Sequence, residues 1–302
     1  MIDPVVVLGG PTASGKTVLA IELAQRLDAE IVNADSRQIY AGMPIGTAAP
    51  TPAQRARVPH HLVGFVDPHE RYSAARFAQD ALAAIEGIRA RGKRVIVAGG
   101  TGFYLRALCG DVRLEGERDA SLRDRLAREA RVHPAEALHG WLAALAPARA
   151  AVLAPGDGYR VVRALEAQLA ARAGLTGGEP VLETLRSRAI PFVKFVLRVD
   201  AATLAARIAA RTEAMLAAGI VDEAARLGSD VAAGDAVGYR ESLAYREGRL
   251  NERELRDLLE RNTRRYAKRQ ATWFRGERDV NWIDARSLAE AREAILAALK
   301  RT

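Results

Sequence analysis

Hydrophobic positions along the first hundred residues follow two alternating patterns. Short apolar runs with β-branched residues, as expected of buried strands, occupy residues 5–8, 30–34 and 94–98. In the intervening segments apolar residues recur at helical spacing, most clearly over residues 73–90, where Ser73 is a candidate N-cap. This alternation favours a parallel sheet with right-handed crossovers, whose ligands bind at the carboxyl ends of the strands. A Pro- and Gly-rich loop is expected over residues 42–59, with a short strand after it over residues 60–66.

The pattern changes near residue 115. From there to residue 191 Arg, Ala, Leu and Glu dominate and strand-like runs disappear, which predicts an all-helical insertion. A run at residues 192–197 returns the chain to the sheet, and helices follow over 203–217 and beyond, until a short final strand near 280–283. We therefore divide the chain into a core of residues 1–114 and 192–302 and a helical insertion domain of residues 115–191.

Composition narrows the class of protein. With 302 residues, of which 49% are hydrophobic, the chain can bury a large core. Its single cysteine, Cys109, forms no disulfide within the chain, which suits a reducing cytoplasm. No apolar run in the sequence approaches the length that spans a membrane. We therefore expect a cytoplasmic monomer with no membrane partner, and the net charge of +8 favours a polyanionic partner.

One motif carries the clearest chemistry. The sequence GPTASGKT at residues 10–17 fits G-x-x-x-x-G-K-[ST] and lies between a predicted strand and a predicted helix. There, loop N–H groups and the helix dipole favour phosphate oxygens, Lys16 adds a full charge, and the Thr17 hydroxyl is a ligand for phosphate-bound Mg²⁺. The motif predicts a bound polyphosphate without specifying ATP. The residues expected to bind it are Gly10, Thr12, Ala13, Ser14, Gly15, Lys16 and Thr17. The predicted fold is α/β: a P-loop NTPase-like parallel sheet with flanking helices and an all-helical insertion domain.

An acid and a hydroxyl lie where two of the predicted strands end. Asp35 follows the strand at residues 30–34, where a carboxylate could bind magnesium, accept a proton from a nucleophile or cap the next helix. Thr101 follows the strand at 94–98 in a turn between glycines, which suits either close approach to a ligand or an ordinary helix N-cap. The strand at 94–98 does not end in the magnesium-binding aspartate that a P-loop ATPase has there. Asp35 is therefore the best candidate acid near the phosphates.

Arginines and a late basic segment are candidates for binding anions. Arg207 and Arg211 lie one turn apart on a predicted helix, and a diphosphate needs cations beyond one lysine. Arg160 and Arg163 are three residues apart on another predicted helix, although solvated helices often carry such pairs. Residues 261–278 contain seven Lys/Arg, one acid and three aromatic residues, a composition typical of binding to single-stranded RNA loops. Packing in the core is the alternative for at least one of the aromatic residues.

Seven ordered motifs resemble those of the tRNA dimethylallyltransferases, which prenylate an adenosine beside the anticodon. They span most of the chain, and their order makes the resemblance specific. The motifs are GPTASGKT (10–17), DSRQIY (35–40), GT (46–47), GGTGFY (99–104), RVVRALE (160–166), VGYR (237–240) and KRQATWFR (268–275). Two positions depart from the family pattern. Ala49-Pro50 stands where Lys-Pro is frequent, and Gly156 stands where asparagine is frequent.

The resemblance implies a reaction and assigns residues to it. Dimethylallyl diphosphate would bind the phosphate loop, and the adenosine N6 would attack its allylic C1 while diphosphate leaves. Asp35 is then the general base, Thr101 positions N6 or the bridging oxygen, and Arg211 joins Lys16 and Mg²⁺ in stabilising the leaving diphosphate. The implied partner is the tRNA anticodon stem-loop. The residues expected to contact it are Asp35, Ser36, Arg37, Gln38, Thr101, Arg123, Tyr159, Arg160, Arg163, Lys268, Arg269, Gln270, Trp273 and Arg275.

Three other functions fit parts of the sequence. A small-molecule P-loop kinase would bind ATP with the same motif, but it needs the missing aspartate and has no use for the basic, aromatic segment. A free-nucleotide isopentenyltransferase shares the chemistry without needing a large RNA surface. An RNA-binding module with a vestigial phosphate loop is disfavoured by the intact Lys16, Thr17 and Asp35. The sequence therefore favours the tRNA-prenylating enzyme, and we expect it not to consume ATP.

Overall fold

The computed structural model describes residues 3–112, 120–174, 183–229, 231, 234 and 236–301. The chain forms two compact units, one of residues 1–112 and 183–302 and the other of residues 113–182. Residues 183–191, which the sequence pattern groups with the insertion, belong to the first unit. The reason is packing: Leu185 is buried, and its N–H donates to the carbonyl of Leu108 at 2.8 Å, which ties this segment to the residues before the insertion.

Six parallel strands among the described residues form the sheet of the first unit, in the order β3-β2-β4-β1-β5-β6. They are β1 (Val5–Gly9), β2 (Ala29–Asn33), β3 (His60–His61), β4 (Arg94–Gly99), β5 (Phe192–Arg198) and β6 (Val280–Asp284). The predicted strands at 5–8, 30–34, 94–98, 192–197 and 280–283 are confirmed, whereas the run at 60–66 contributes only β3. Because β4 lies between β2 and β1, the carboxyl ends of these three strands are neighbours.

Helices surround this sheet and make up the described part of the second unit. In chain order they are α1 (Lys16–Leu27), α2 (Pro52–Arg57), α3 (Ala74–Ala90), α4 (Gly102–Cys109), α5 (Ala120–Val132), α6 (Ala135–Leu145), α7 (Pro147–Ala150), α8 (Gly158–Arg172), α9 (Ala201–Ala217), α10 (Ile220–Leu227), α11 (Tyr239–Arg246), α12 (Glu252–Arg275) and α13 (Leu288–Leu299). None of the helices described is long and apolar enough to cross a membrane.

Local capping explains where two of these helices begin. The Ser73 hydroxyl accepts from the N–H of Arg76 at 3.1 Å, so the predicted N-cap of α3 is confirmed. Helix α2 lies inside the region expected to be a loop. It begins with a capping box, in which Thr51 and Gln54 satisfy each other's backbone N–H groups, and with Pro52 in the first turn. A short capped helix can therefore form in a Pro-rich segment.

A buried apolar cluster fixes α1 against the sheet. Leu19 and Leu23 of α1 are fully buried with Leu8 of β1, Ile96 of β4 and Phe195 of β5. Burying each such side chain stabilises the fold by about 1.5–3 kcal/mol. The helix that carries Lys16 and Thr17 at its start is thus held by packing along its whole inner face.

The second unit has its own small core. Leu126 of α5, Leu138 and Leu142 of α6, and Val161 and Leu165 of α8 are buried together. One charged side chain, Glu166 of α8, is also fully buried.

Candidate functional site

The phosphate loop joins the end of β1 to the start of α1. Ala13 and Gly15 have φ angles of 61° and 92°, in the left-handed region, which bends the loop around the helix N-terminus. At Gly15 there is no space for a side chain either, since an added Cβ would lie 2.7 Å from Leu288. Free N–H groups and the dipole at a helix N-terminus favour an anion. The loop therefore has the conformation of a phosphate site.

Lys16 is held inside this loop. Its ammonium donates to the carbonyls of Gly10 and Pro11 at 2.8 and 2.7 Å. Burial lowers the pKa of Lys16 to about 8, and the carboxylate of Asp35 partly offsets that effect. A charged lysine in this position is poorly solvated, so a diphosphate that supplies full negative charge would stabilise it.

Side chains from two distant helices hold the loop at Thr12 and Ser14. Arg211 of α9 donates to Thr12 Oγ1 at 2.7 Å, and Gln270 of α12 accepts from the Thr12 N–H at 2.7 Å. Arg207, one turn before Arg211, donates to the carbonyl of Ser14 at 3.1 Å. The structure therefore brings both arginines of the predicted pair to the phosphate loop.

Asp35 and Thr101 lie just beyond the ends of β2 and β4. The Thr101 N–H donates to the carbonyl of Ala34 at 3.2 Å, and the Thr101 hydroxyl accepts from the N–H of Ser36 at 2.9 Å. Asp35 Oδ1 accepts from the N–H of Arg37 at 2.9 Å. The two bonds of Thr101 fix the two turns against each other. A carboxylate that accepts one hydrogen bond retains lone pairs for a further proton donor.

A cavity of about 660 Å³ contains most of these groups. Lys16, Thr17, Asp35 and Arg211 all line it, together with the segment at residues 44–52. Thr101 does not line this cavity, although its neighbour Gly100 does. One volume thus combines a phosphate loop, a second cation and a carboxylate, an arrangement that suits the transfer of a group away from a diphosphate.

His60 also lines the cavity, although no motif in the sequence marks it as a site residue. Its Nδ1 lies 2.8 Å from the carbonyl of Val58, and since a carbonyl only accepts, Nδ1 carries the proton. Burial lowers the pKa of His60, which favours the neutral form of the ring. The only local signal is the His-His pair at the predicted short strand.

Helix α12 has a basic outer face. Lys268, Arg269 and Arg275 are exposed, and the described residues place no carboxylate in salt-bridge contact with any of the three. Further exposed arginines lie on the same face, at positions 261, 264 and 265. The opposite face is buried through Leu255, Leu259, Ala267, Gln270 and Phe274. The positive charge predicted for this segment is therefore concentrated on a surface open to a polyanion.

Gln270 and Trp273 lie on the inner side of α12, and their contact with RNA stays a prediction. Gln270 is buried, and besides accepting from the phosphate loop it donates to the carbonyl of Gly100 at 2.9 Å. Trp273 packs on Gly102, where an added Cβ would lie 2.2 Å from the indole, and the guanidinium of Arg106 stacks over its ring. These two side chains join α12 to the phosphate loop and to the turn after β4.

In the second unit, three predicted RNA contacts have acidic partners. Arg123 donates to buried Glu166 at 3.1 Å, and Arg163 pairs with the other oxygen of the same carboxylate. Arg160 bonds at 2.8 Å to Asp157, which also caps α8. These contacts have a structural explanation, because removing both arginines would leave Glu166 as an uncompensated buried charge. Tyr159 is 77% exposed, and contact of all four residues with RNA stays a prediction.

The fold and the site together define the class: an α/β protein of the P-loop type, in which a loop with the conformation of a phosphate site lies beside a carboxylate. Comparison with known proteins identifies the family. The family described as IPP transferase matches residues 38–277. A tRNA dimethylallyltransferase from an Anaeromyxobacter species (strain K) is 48% identical over 287 residues, which are 92% of this chain and 92% of that protein. Another from an Exiguobacterium species is 44% identical over 286 residues, 93% of this chain and 90% of that protein.

Comparison with solved structures leads to the same family. The full-length tRNA isopentenylpyrophosphate transferase of Bacillus halodurans superposes with a TM-score of 0.69 at 35% identity, covering 99% of this chain and 97% of that one. A eukaryotic dimethylallyltransferase acting on tRNA gives a TM-score of 0.78 at 27% identity, over 98% of this chain and 78% of that one. This chain belongs to the IPP transferase family.

Proposed function

We propose that this protein transfers a dimethylallyl group from dimethylallyl diphosphate to N6 of the adenosine immediately 3′ of the anticodon in tRNA. The observation that carries the proposal is the single cavity lined by Lys16, Thr17, Arg211 and Asp35, which offers a diphosphate site and a proton acceptor to the same substrate pair. The reaction agrees with the names of the relatives, which are tRNA dimethylallyltransferases.

Asp35 is the proposed general base. The N6 lone pair is delocalised into the purine, so this amine attacks poorly until it loses a proton. As the N6–C1 bond forms, the allylic C1–O bond breaks, diphosphate departs with the bonding pair, and the N6 proton passes to the Asp35 carboxylate. Asp35 faces the cavity beyond the end of β2, and general-base catalysis of this kind is worth about 10²–10⁴ in rate.

Cations around the phosphate loop stabilise the departing diphosphate. Lys16 would exchange its two carbonyl partners for phosphate oxygens, and Arg211 is held at the loop by Thr12. Arg207 is bound to three carbonyls of the protein, those of Ser14, Ala285 and Arg286, so its role is to shape the loop. In many enzymes, charges and dipoles already oriented towards the leaving group make the greatest contribution to the rate enhancement.

The donor set also fits Mg²⁺. Mg²⁺ keeps several waters and takes few protein ligands besides substrate phosphates, and the Thr17 hydroxyl at the start of α1 would be one of them. The described residues include no cluster of three or more His, Cys, Asp and Glu side chains able to hold a metal, so the diphosphate itself would supply most of the oxygens. When bound, Mg²⁺ would neutralise part of the charge that develops on the diphosphate.

The basic face of α12 is the proposed contact with the anticodon stem. Lys268, Arg269 and Arg275 present exposed positive charge suited to RNA phosphates, while the inner side chains of the same helix reach the phosphate loop. The target adenosine is stacked in the folded loop, so it must be flipped out to reach the cavity. Because one chain carries all these groups, we propose a monomer that acts on tRNA in the cytoplasm.

The direct test is mass analysis of tRNA incubated with the protein, Mg²⁺ and dimethylallyl diphosphate. We expect one added five-carbon group on the adenosine beside the anticodon and one diphosphate released per transfer. Incubation with adenosine monophosphate instead of tRNA is the control. Prenylation of the free nucleotide at a comparable rate, with none of tRNA, would overturn the proposal in favour of a free-nucleotide isopentenyltransferase.

A further inference from the structure

One wall of the cavity is a loop that has no regular secondary structure of its own. Pro44, Ile45, Thr47, Ala48 and Ala49 line the cavity before Pro50 leads towards α2. Most of these side chains are small and apolar, so this wall presents carbon rather than charge to whatever lies beyond the phosphate loop. We name residues 44–50 the wall loop.

A buried carboxylate holds the wall loop in place. Glu223 of α10 is 1% exposed, and its two oxygens accept from the N–H of Ile45 at 2.9 Å and from the N–H of Gly46 at 2.8 Å. The hydroxyl of Tyr239 in α11 donates to the same carboxylate at 2.8 Å. All three donors are neutral. The hydrogen bonds of the buried Glu223 carboxyl therefore depend on the wall loop keeping its present conformation.

The fit between Gly46 and Tyr239 is equally close. An added Cβ at Gly46 would lie 2.7 Å from the ring of Tyr239, so the ring packs directly on the backbone of the wall loop. Tyr239 is itself 2% exposed and packs with Ile39, Met43 and Ala224. The position of the wall loop is thus set by a rigid, fully buried aromatic ring as well as by the carboxylate.

The wall loop is in turn connected to the catalytic segment. Gln38, three residues after Asp35, donates through Nε2 to the carbonyls of Thr47 and Ala48, at 3.1 Å each. A displacement of the wall loop would therefore also displace the turn that carries Asp35. Glu223 lies far from this turn in the sequence, so the two are connected only in the folded structure.

We propose that Glu223 and Tyr239 are positioning residues that set the depth of the prenyl pocket, so that the enzyme accepts a five-carbon allylic diphosphate and rejects a ten-carbon one. This inference deepens the proposed function and rests on it. With the diphosphate on Lys16 and Thr17, the allylic chain lies in the cavity whose apolar wall is the wall loop. An apolar pocket rejects a longer allylic chain only when its wall cannot move to make room for that chain. Buried hydrogen bonds are what hold this wall in position.

Two variants release the wall loop in different ways. In Glu223→Gln, one oxygen becomes an NH₂ group that faces a backbone N–H, so at least one anchor is lost while the shape is kept. Gly46→Ala leaves Glu223 intact but forces a methyl group against Tyr239. The measured quantity is the ratio of kcat/KM for dimethylallyl diphosphate to kcat/KM for geranyl diphosphate, with tRNA as acceptor. This ratio does not depend on the fraction of folded enzyme, so a purely structural defect leaves it unchanged.

We expect both variants to lower this ratio by about tenfold or more, the scale on which pockets discriminate apolar groups. Tyr239→Phe removes one donor and should lower it less. Glu30→Gln is the matched control, because it alters a buried carboxylate that pairs with Arg91 and His61 and does not itself line the cavity. This variant should keep the wild-type ratio even if it melts earlier. A wild-type ratio in both Glu223→Gln and Gly46→Ala would overturn the inference. Failure of the wild-type enzyme to prenylate tRNA would instead overturn the proposed function.

Discussion

The basic face of α12 allows a quantitative prediction about tRNA binding. Replacing Lys268, Arg269 and Arg275 with alanine removes three exposed cations without touching the buried face of the helix. Each phosphate contact contributes about 0.7–0.9 to the slope of log K against log salt, so the triple variant should lose about 2–3 units of slope. At 0.1 M salt that corresponds to a loss of affinity on the order of 10²-fold.

The structure also predicts that the triple variant keeps its stability and its affinity for dimethylallyl diphosphate. The contacts of these side chains in the described structure are weak ones: the Arg275 guanidinium donates to Thr272 in the preceding turn, and Arg269 lies over Tyr266. Exposed substitutions of this kind usually change the free energy of unfolding by less than about 0.5 kcal/mol each. Affinity for dimethylallyl diphosphate should stay at the wild-type value, because Lys16 and Arg211 are untouched.

The assay is a titration of labelled tRNA at three salt concentrations, with a thermal melt of each protein. Arg256→Ala is the control, since Arg256 lies on the same helix but is paired with Glu213 and Glu252. It should leave the slope unchanged. If the triple variant melts much earlier and keeps the wild-type slope, α12 is a structural element and does not bind the RNA backbone.

Five further predictions concern the site and its surroundings. Asp35→Asn should slow single-turnover transfer about 10²–10⁴-fold while dimethylallyl diphosphate still binds, and a near-normal rate would remove Asp35 from the mechanism. Affinity for inorganic diphosphate should fall as the pH rises above about 8, where Lys16 loses its proton, and Lys16→Met should abolish this dependence. For the same reason the ligand-free protein should lose stability as the pH falls from about 10.5 to about 8, because only unfolded Lys16 binds a proton in that range. Gly102→Ala should destabilise the protein by about 1–3 kcal/mol in urea titrations, since its Cβ would lie 2.2 Å from Trp273, whereas Gly140→Ala has open space and should not. Transfer should proceed without ATP, and a requirement for ATP would favour the kinase.

The sequence by itself determined the features whose cause is local. The phosphate loop, the Ser73 cap and the strands at 5–8, 30–34 and 94–98 depend on residues close together in the chain. Parallel topology then implied that Asp35 and Thr101 lie at the same edge of the sheet, since the carboxyl ends of neighbouring parallel strands meet there. The order of the seven motifs indicated the family, to which the chain does belong.

Tertiary structure alone decided how these parts are held. Gln270 bonds to Thr12 across 258 positions, and Glu223 bonds to Gly46 across 177, and no pattern within a helix predicts such partners. The resemblance implies that Gln270 contacts RNA, which stays a prediction, but that helix packing places this side chain at the phosphate loop could not be derived from the sequence. Arg123 and Arg163 likewise have a partner that the sequence does not indicate, a buried carboxylate of their own unit. Residue type and helical spacing specify that a side chain is polar and which face it occupies, but its partner depends on which element packs against that face.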